Sequence, residues 1–143
     1  MKNIIISPIY PALLNEIEQE EPNVYYLLFT CWEHRPLRSK HCRVFPFEDI
    51  SDPDHPEACK KEQMRDILEY FASRPDGADV FVCCDGGQSR SAAVAAALMR
   101  WQGEDDSAIW KDPQYHPNKY LYRLALEQIA ALTAAGSGGA QDT

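Results

Sequence analysis

Cys84 and Arg90 have the types and the spacing of a thiol nucleophile paired with an anion clamp. Asp85, Gly86, Gly87, Gln88 and Ser89 lie between them, and Ser91 follows directly. A linker of this length can wrap the backbone into a nest whose N–H groups converge on one tetrahedral anion. Gly86 and Gly87 are expected to supply the positive φ values and the close approach that such a nest demands. A cysteine at its mouth has its thiolate stabilised by the same donors, which makes it a nucleophile aimed at phosphorus. Arg90, returning to the edge of the loop, can present two parallel N–H donors to phosphoryl oxygens, a geometry that lysine cannot reproduce. It binds more tightly as charge redistributes in the transition state. Ser91 can hydrogen-bond the Cys84 sulfur as a leaving thiolate, which would assist hydrolysis of a phosphocysteine. The alternative is a tight strand-to-helix turn that happens to contain a cysteine and an arginine.

The elements around this segment favour the anion loop. Residues 80–83, Val-Phe-Val-Cys, form an apolar run without alternation, the pattern of a central strand covered on both faces. Residues 91–101 are strong helix formers and small residues that allow close packing on a sheet. Strand, glycine-rich loop and helix N-terminus thus follow in series, and ligands bind at the carboxyl ends of strands in open α/β sheets. Further strands are expected at residues 3–7, 24–30 and 42–47, and helices at 12–19, 56–73 and, briefly, 106–110. A last helix carries Tyr122, Ala125, Leu126, Ile129 and Leu132 at spacings of three and four, giving it one apolar face. Residues 31–40 and 47–56 read as loops. The alternation predicts an α/β fold with a mostly parallel central sheet flanked by helices, one domain over residues 1–134, and a disordered tail at 135–143. There is no internal repeat.

Composition sets the outer limits. A chain of 143 residues with 45% hydrophobic and 25% charged residues is an ordinary globular domain. Its formal net charge of -8 repels polyanions, so neither nucleic acid nor an anionic membrane surface is an expected partner. A small phosphate pocket is still compatible with that charge, because a few groups within a Debye length govern it. Pro8 and Pro11 interrupt the apolar N-terminal run and no A-x-A cleavage site follows, so it does not read as a signal peptide. No stretch has the length of a membrane span. The expected location is cytoplasmic, with Cys31, Cys42, Cys59, Cys83 and Cys84 reduced. Neither the cysteines nor His34, His41, His55 and His116 have metal-ligand spacing, so no metal and no cofactor is expected.

The run Cys-Asp-Gly-Gly-Gln-Ser-Arg-Ser resembles the signature of the protein-tyrosine-phosphatase superfamily, and especially its dual-specificity branch, Cys-x-x-Gly-x-Ser-Arg-Ser. Gly87, Ser89, Arg90 and Ser91 match that pattern. The resemblance is strong over residues 80–99 and weaker over 43–132. It implies a cysteine-phosphatase-like fold and a phosphomonoester hydrolase, with Cys84, Arg90 and Ser91 catalytic and Asp85 to Arg90 as the phosphate-binding loop. It also implies a general acid, supplied in the family by an aspartate on a mobile loop upstream. Asp49, Asp52 and Asp54 stand 35, 32 and 30 residues before Cys84. Asp49 is preferred, because it follows the strand-like Val-Phe-Pro-Phe-Glu and resembles the strand-end aspartate of dual-specificity enzymes and of bacterial relatives with a Phe-Asp-Asp-Ile-like motif. All three could instead be turn-forming carboxylates.

One departure from the family is Cys83, where a histidine usually precedes the nucleophile. Cys83 reads as a buried strand thiol rather than a redox partner, since alternate side chains of a strand face opposite ways. Relatives that act on polyphosphorylated inositides often carry lysines in the loop, and this loop has none. The resemblance therefore implies a phosphorylated protein or small phosphomonoester as substrate, with a single phosphate on tyrosine favoured and serine or threonine as the wider range. Two other functions remain open at this level: a phospho-binding pseudophosphatase without turnover, and a sulfur-transfer enzyme with a cysteine anion loop. Trp32, His34, Arg35 and Arg38 are candidates for the pocket rim or for a solvated loop, and Asn118 for the cap of the last helix.

Overall fold

Four strands, β1 (Asn3–Pro8), β2 (Val24–Phe29), β3 (Cys42–Phe45) and β4 (Asp79–Cys84), form one sheet in the order β1-β4-β2-β3, and every pairing is parallel. The computed structural model describes residues 1–32 and 36–135. Parallel neighbours need long crossover connections. Helix α1 (Pro11–Glu18) lies between β1 and β2, and α2 (Lys61–Ala72) between β3 and β4. The helices α3 (Arg90–Trp101), α4 (Ser107–Lys111) and α5 (Lys119–Ala134) follow β4. Among the described residues, no helix is long and apolar enough to cross a membrane.

The apolar run of β4 is explained by its place between β1 and β2, with both faces covered. Val80, Val82 and Cys84 join Leu27 and Phe29 in the larger core, under α2, α3 and α5. Cys83 points the other way and packs with Tyr26 and Leu28 against Leu13, Leu14 and Ile17 of α1. The buried strand thiol expected at this position is found there. Helix α3 contributes Ala92, Ala93, Ala95, Ala96 and Ala97, all without solvent exposure. Their short side chains let the helix lie close to the sheet that ends at Cys84.

Two expected boundaries shift by two residues or more, each for a local reason. Strand β3 ends at Phe45 rather than at residue 47, because Pro46 has no N–H to continue the ladder. Phe47 then turns into the core, its ring 5.4 Å from that of Phe29. Helix α2 begins at Lys61 rather than at residue 56. Lys60 has an extended backbone, and its Nζ donates to Pro53 O at 2.7 Å and His55 O at 2.8 Å, folding the preceding loop back on itself. In α5 the buried stripe is Leu121, Leu124, Ala125 and Gln128, whereas Tyr122, Leu126, Ile129 and Leu132 flank it half-buried. The helix packs against both α2 and α3, so its contact arc is wider than a single row of apolar residues. Gln128 is accommodated because Arg65 Nε donates to its Oε1 at 2.7 Å. Of the expected tail, Ala135 is the C-cap of α5, and the remainder lies outside the described residues.

Met64, Ile67, Leu68 and Phe71 form the buried face of α2. Replacing the fully buried Ile67 by alanine is expected to lower unfolding free energy by about 2–5 kcal/mol. Urea denaturation followed by circular dichroism measures it, with the midpoint shifted and the slope unchanged.

Candidate active site

Parallel pairing delivers the carboxyl ends of the strands to one edge of the sheet, and the register aligns Pro8 and Phe29 with Cys84 from either side. Cys84 is the last residue of β4 and Arg90 the first of α3, so the intervening loop must reverse direction within a few residues. Gly87 makes this possible, with φ at +66°. A Cβ there would lie 2.6 Å from Pro8 N, so the loop can rest on the end of β1 only with glycine at this position. Gly86 does not share the role expected of it: it is absent from the positive-φ glycines, and a Cβ would meet nothing within 4 Å.

Three carbonyls of this segment are bonded to groups outside the loop. Ile9 N donates to Cys84 O at 3.0 Å, His116 N to Gln88 O at 2.8 Å and Asn118 N to Ser89 O at 3.2 Å. Because each trans peptide is planar, the N–H groups of Asp85, Ser89 and Arg90 are directed the opposite way. Outward carbonyls with inward amides are what an anion nest requires.

At the start of α3, Ser91 N donates to Cys84 Sγ at 3.4 Å, and Ser91 Oγ lies 3.1 Å from the same sulfur. A thiolate there would receive both the amide and the hydroxyl proton. The thiols of the other four cysteines are shifted upward. Burial first, and then a hydrogen bond to Glu48, push the Cys31 thiol up to about 11, with Arg90 pulling the other way. Burial pushes Cys59 up to about 12 and raises Cys42 and Cys83 as well.

The Arg90 guanidinium is buried, and two contacts hold it. Nη1 donates to Phe47 O at 2.8 Å and Nη2 to Asp85 Oδ2 at 2.9 Å. The Nε–H and the second hydrogens of Nη1 and Nη2 are left for an oxyanion. Asp85 Oδ1 in turn accepts from Thr30 Oγ1 at 2.7 Å. Thr30 and the Phe47 carbonyl were not legible as site groups, because no local spacing marks a residue that reaches the loop only through strand order.

Of the three candidate acids, Asp49 alone touches the loop among the described residues. Its Oδ1 accepts from Ser89 Oγ and from Asn118 Nδ2, each at 2.8 Å. Asp52 instead accepts from Asp54 N at 3.0 Å in an exposed turn, and Asp54 is exposed beside it. Asn118 caps α5 as expected, accepting from Leu121 N at 3.0 Å. Its Nδ2 also donates to Ile50 O at 3.3 Å, so one residue joins the Asp49 segment, the loop after β4 and α5. Trp32 and Arg38 are exposed, while His34 and Arg35 lie outside the described residues. Among the described residues, no group of three or more His, Cys, Asp or Glu side chains could hold a metal ion.

No family model matches the chain, and no curated protein matches it. Solved structures do. PTPMT1 in complex with PI(5)P is similar at TM-score 0.60 and 14% identity, covering 94% of this chain and 94% of that one. Human DUSP28 is similar at 0.53 and 16%, over 92% and 94% of the two chains, and Tk-PTP in its active form at 0.53 and 19%, over 90% and 91%. At these identities the likeness establishes the fold, that of the protein-tyrosine and dual-specificity phosphatases.

The two glycines of the loop are expected to behave differently. Gly87→Ala must strain a left-handed backbone and displace Pro8, lowering stability by about 1–3 kcal/mol or more. Gly86→Ala, at an exposed and unstrained position, should stay within about 0.5 kcal/mol of wild type. Paired denaturation curves check the contrast.

Proposed function

We propose that this chain, which has a phosphatase fold, hydrolyses phosphomonoesters through a phosphocysteine on Cys84. Phosphotyrosine is the favoured substrate, and phosphoserine and phosphothreonine form the wider range. The observation that carries the reading is the contact of Cys84 Sγ with both Ser91 N and Ser91 Oγ, beside an arginine fixed in the same loop.

In the first step the Cys84 thiolate attacks phosphorus and the ester P–O bond breaks. Asp49 gives its proton to the departing oxygen, and the alcohol or phenol leaves. Arg90 and the inward amides hold the equatorial oxygens, where charge is redistributed. In the second step water attacks phosphorus, Asp49 takes the water's proton, and the S–P bond breaks to release phosphate. The Ser91 hydroxyl donates to the sulfur as it regains negative charge. Acid, clamp and nucleophile are all side chains of the protein, so the scheme calls for no metal.

The similar PTPMT1 structure holds PI(5)P. In this chain the charged residues between Cys84 and Ser91 are Asp85 and Arg90, which pair with each other, so the loop offers no further cation to a second phosphate. That supports a singly phosphorylated group and a phosphorylated protein or small phosphomonoester as its carrier. The cytoplasm is the proposed setting, where a catalytic thiol is kept reduced.

Hydrolysis of para-nitrophenyl phosphate from about pH 5 to about pH 8, with EDTA present, tests the scheme. Wild type should turn over, and Cys84→Ser should lose turnover while still binding vanadate. Asp49→Ala should lower kcat by about 100-fold and flatten the basic limb of the profile. Vanadate binding by a wild type that hydrolyses no ester would overturn the enzyme and leave a phospho-binding module.

A further inference from the structure

We infer that Thr30 and Asp85 are positioning residues for the phosphate clamp: Thr30 orients the Asp85 carboxylate, and Asp85 sets the plane of the Arg90 guanidinium. The inference rests on the hydrolase reading above and adds two roles to it.

The relay is a product of the sheet. Phe29 of β2 pairs with Cys84 of β4, so the next residue on each strand, Thr30 and Asp85, leave the ladder side by side. Thr30 is 2% exposed, and its hydroxyl works in both directions available to it. It accepts from Trp32 N at 3.0 Å and donates to Asp85 Oδ1 at 2.7 Å. The other carboxylate oxygen, Oδ2, accepts from Arg90 Nη2 at 2.9 Å. The chain of bonds therefore runs from the backbone after β2, through a buried hydroxyl and a carboxylate, to the guanidinium.

A carboxylate beside a phosphate clamp could do one of two opposite things. As a loose competitor it would occupy the clamp and weaken binding of any oxyanion. As an anchor it would hold the guanidinium plane while other N–H groups meet the phosphoryl oxygens. The geometry favours the anchor. Both Asp85 oxygens are engaged by fixed donors, and Arg90 is gripped at two separate nitrogens, by Asp85 on one and by Phe47 O on the other. Bidentate recognition tolerates only about 10–20° of misorientation, so a guanidinium fixed beforehand loses less freedom when the transition state forms. The expected signature is a loss in kcat and in affinity for a transition-state analogue, with little change in KM, because the anchored bonds gain strength as charge moves to the equatorial oxygens.

Four proteins test the relay: wild type, Thr30→Val, Thr30→Ser and Asp85→Asn. Each is assayed with para-nitrophenyl phosphate for kcat and KM and by titration with orthovanadate, and melting curves report folding. Thr30→Val, which keeps the shape and removes the hydroxyl, should lower kcat and vanadate affinity about tenfold, the worth of one hydrogen bond to a charged group, with KM within about twofold. Thr30→Ser should restore both to within about twofold, because the hydroxyl returns. Asp85→Asn should lower kcat at least as far as Thr30→Val. If Thr30→Val fails to fold, the Asp85→Asn result decides. Wild-type kcat and vanadate affinity in Thr30→Val would sink the relay, and a rise of both in Asp85→Asn would show Asp85 to be a competitor and sink it too, while the hydrolase stands. If wild type hydrolyses nothing and binds no vanadate, the proposed function falls and the relay with it. If wild type binds vanadate without turnover, the vanadate titrations alone support or overturn the relay.

Discussion

A parallel sheet brings every strand's carboxyl end to the same edge, and here Pro8, Cys84 and Phe29 are held in register across β1, β4 and β2. The remaining site geometry depends on that alignment. Pro8 forms the floor on which Gly87 rests, and the step beyond Phe29 sets Thr30 against Asp85. Helix α3 then starts where the loop has turned, and its second residue reaches back to the sulfur. A slip of one residue would send Cys84 to the α1 side of the sheet, because side chains alternate along a strand.

Burying a guanidinium is expensive unless its N–H groups are matched. Arg90 meets that demand with one carbonyl from the segment after β3 and one carboxylate from its own loop. The chain is acidic, with a net charge of -8, and this pairing fixes one guanidinium at the N-terminus of α3.

The segment that carries Asp49 is tied down from several directions. Lys60 holds Pro53 and His55, Gln63 Nε2 donates to Pro46 O at 2.7 Å, and Asp49 itself is joined to Ser89 and Asn118. Both donors to Asp49 meet the same oxygen, Oδ1. On the far face of the sheet, Cys83 is sealed among Leu28, Tyr26 and the α1 side chains. The Cys84 sulfur itself is met by Ser91 N and Ser91 Oγ.

Local pattern was sufficient for what lies within one stretch of chain. Eight consecutive residues, Cys84 to Ser91, contain the strand-end cysteine, the glycine-bearing loop, the buried arginine and the sulfur's partner, and their neighbours declare an apolar strand before and a helix after. The α/β class follows from the alternation of such stretches, and Asp49 was reached because a strand end precedes it. Tertiary structure decided everything joined across the sheet: Thr30 to Asp85 over 55 residues, Phe47 to Arg90 over 43, and Asp49 to Asn118 over 69. It also separated Gly87 from Gly86, since only one of them meets Pro8, and it moved the centre of the α5 stripe to Leu121, Leu124, Ala125 and Gln128. The physical reason is the same in each case. Periodicity and turn chemistry are properties of neighbouring residues, whereas strand order and register come from how the whole core packs, and a side chain that reaches its partner through the sheet leaves no mark in its own neighbourhood.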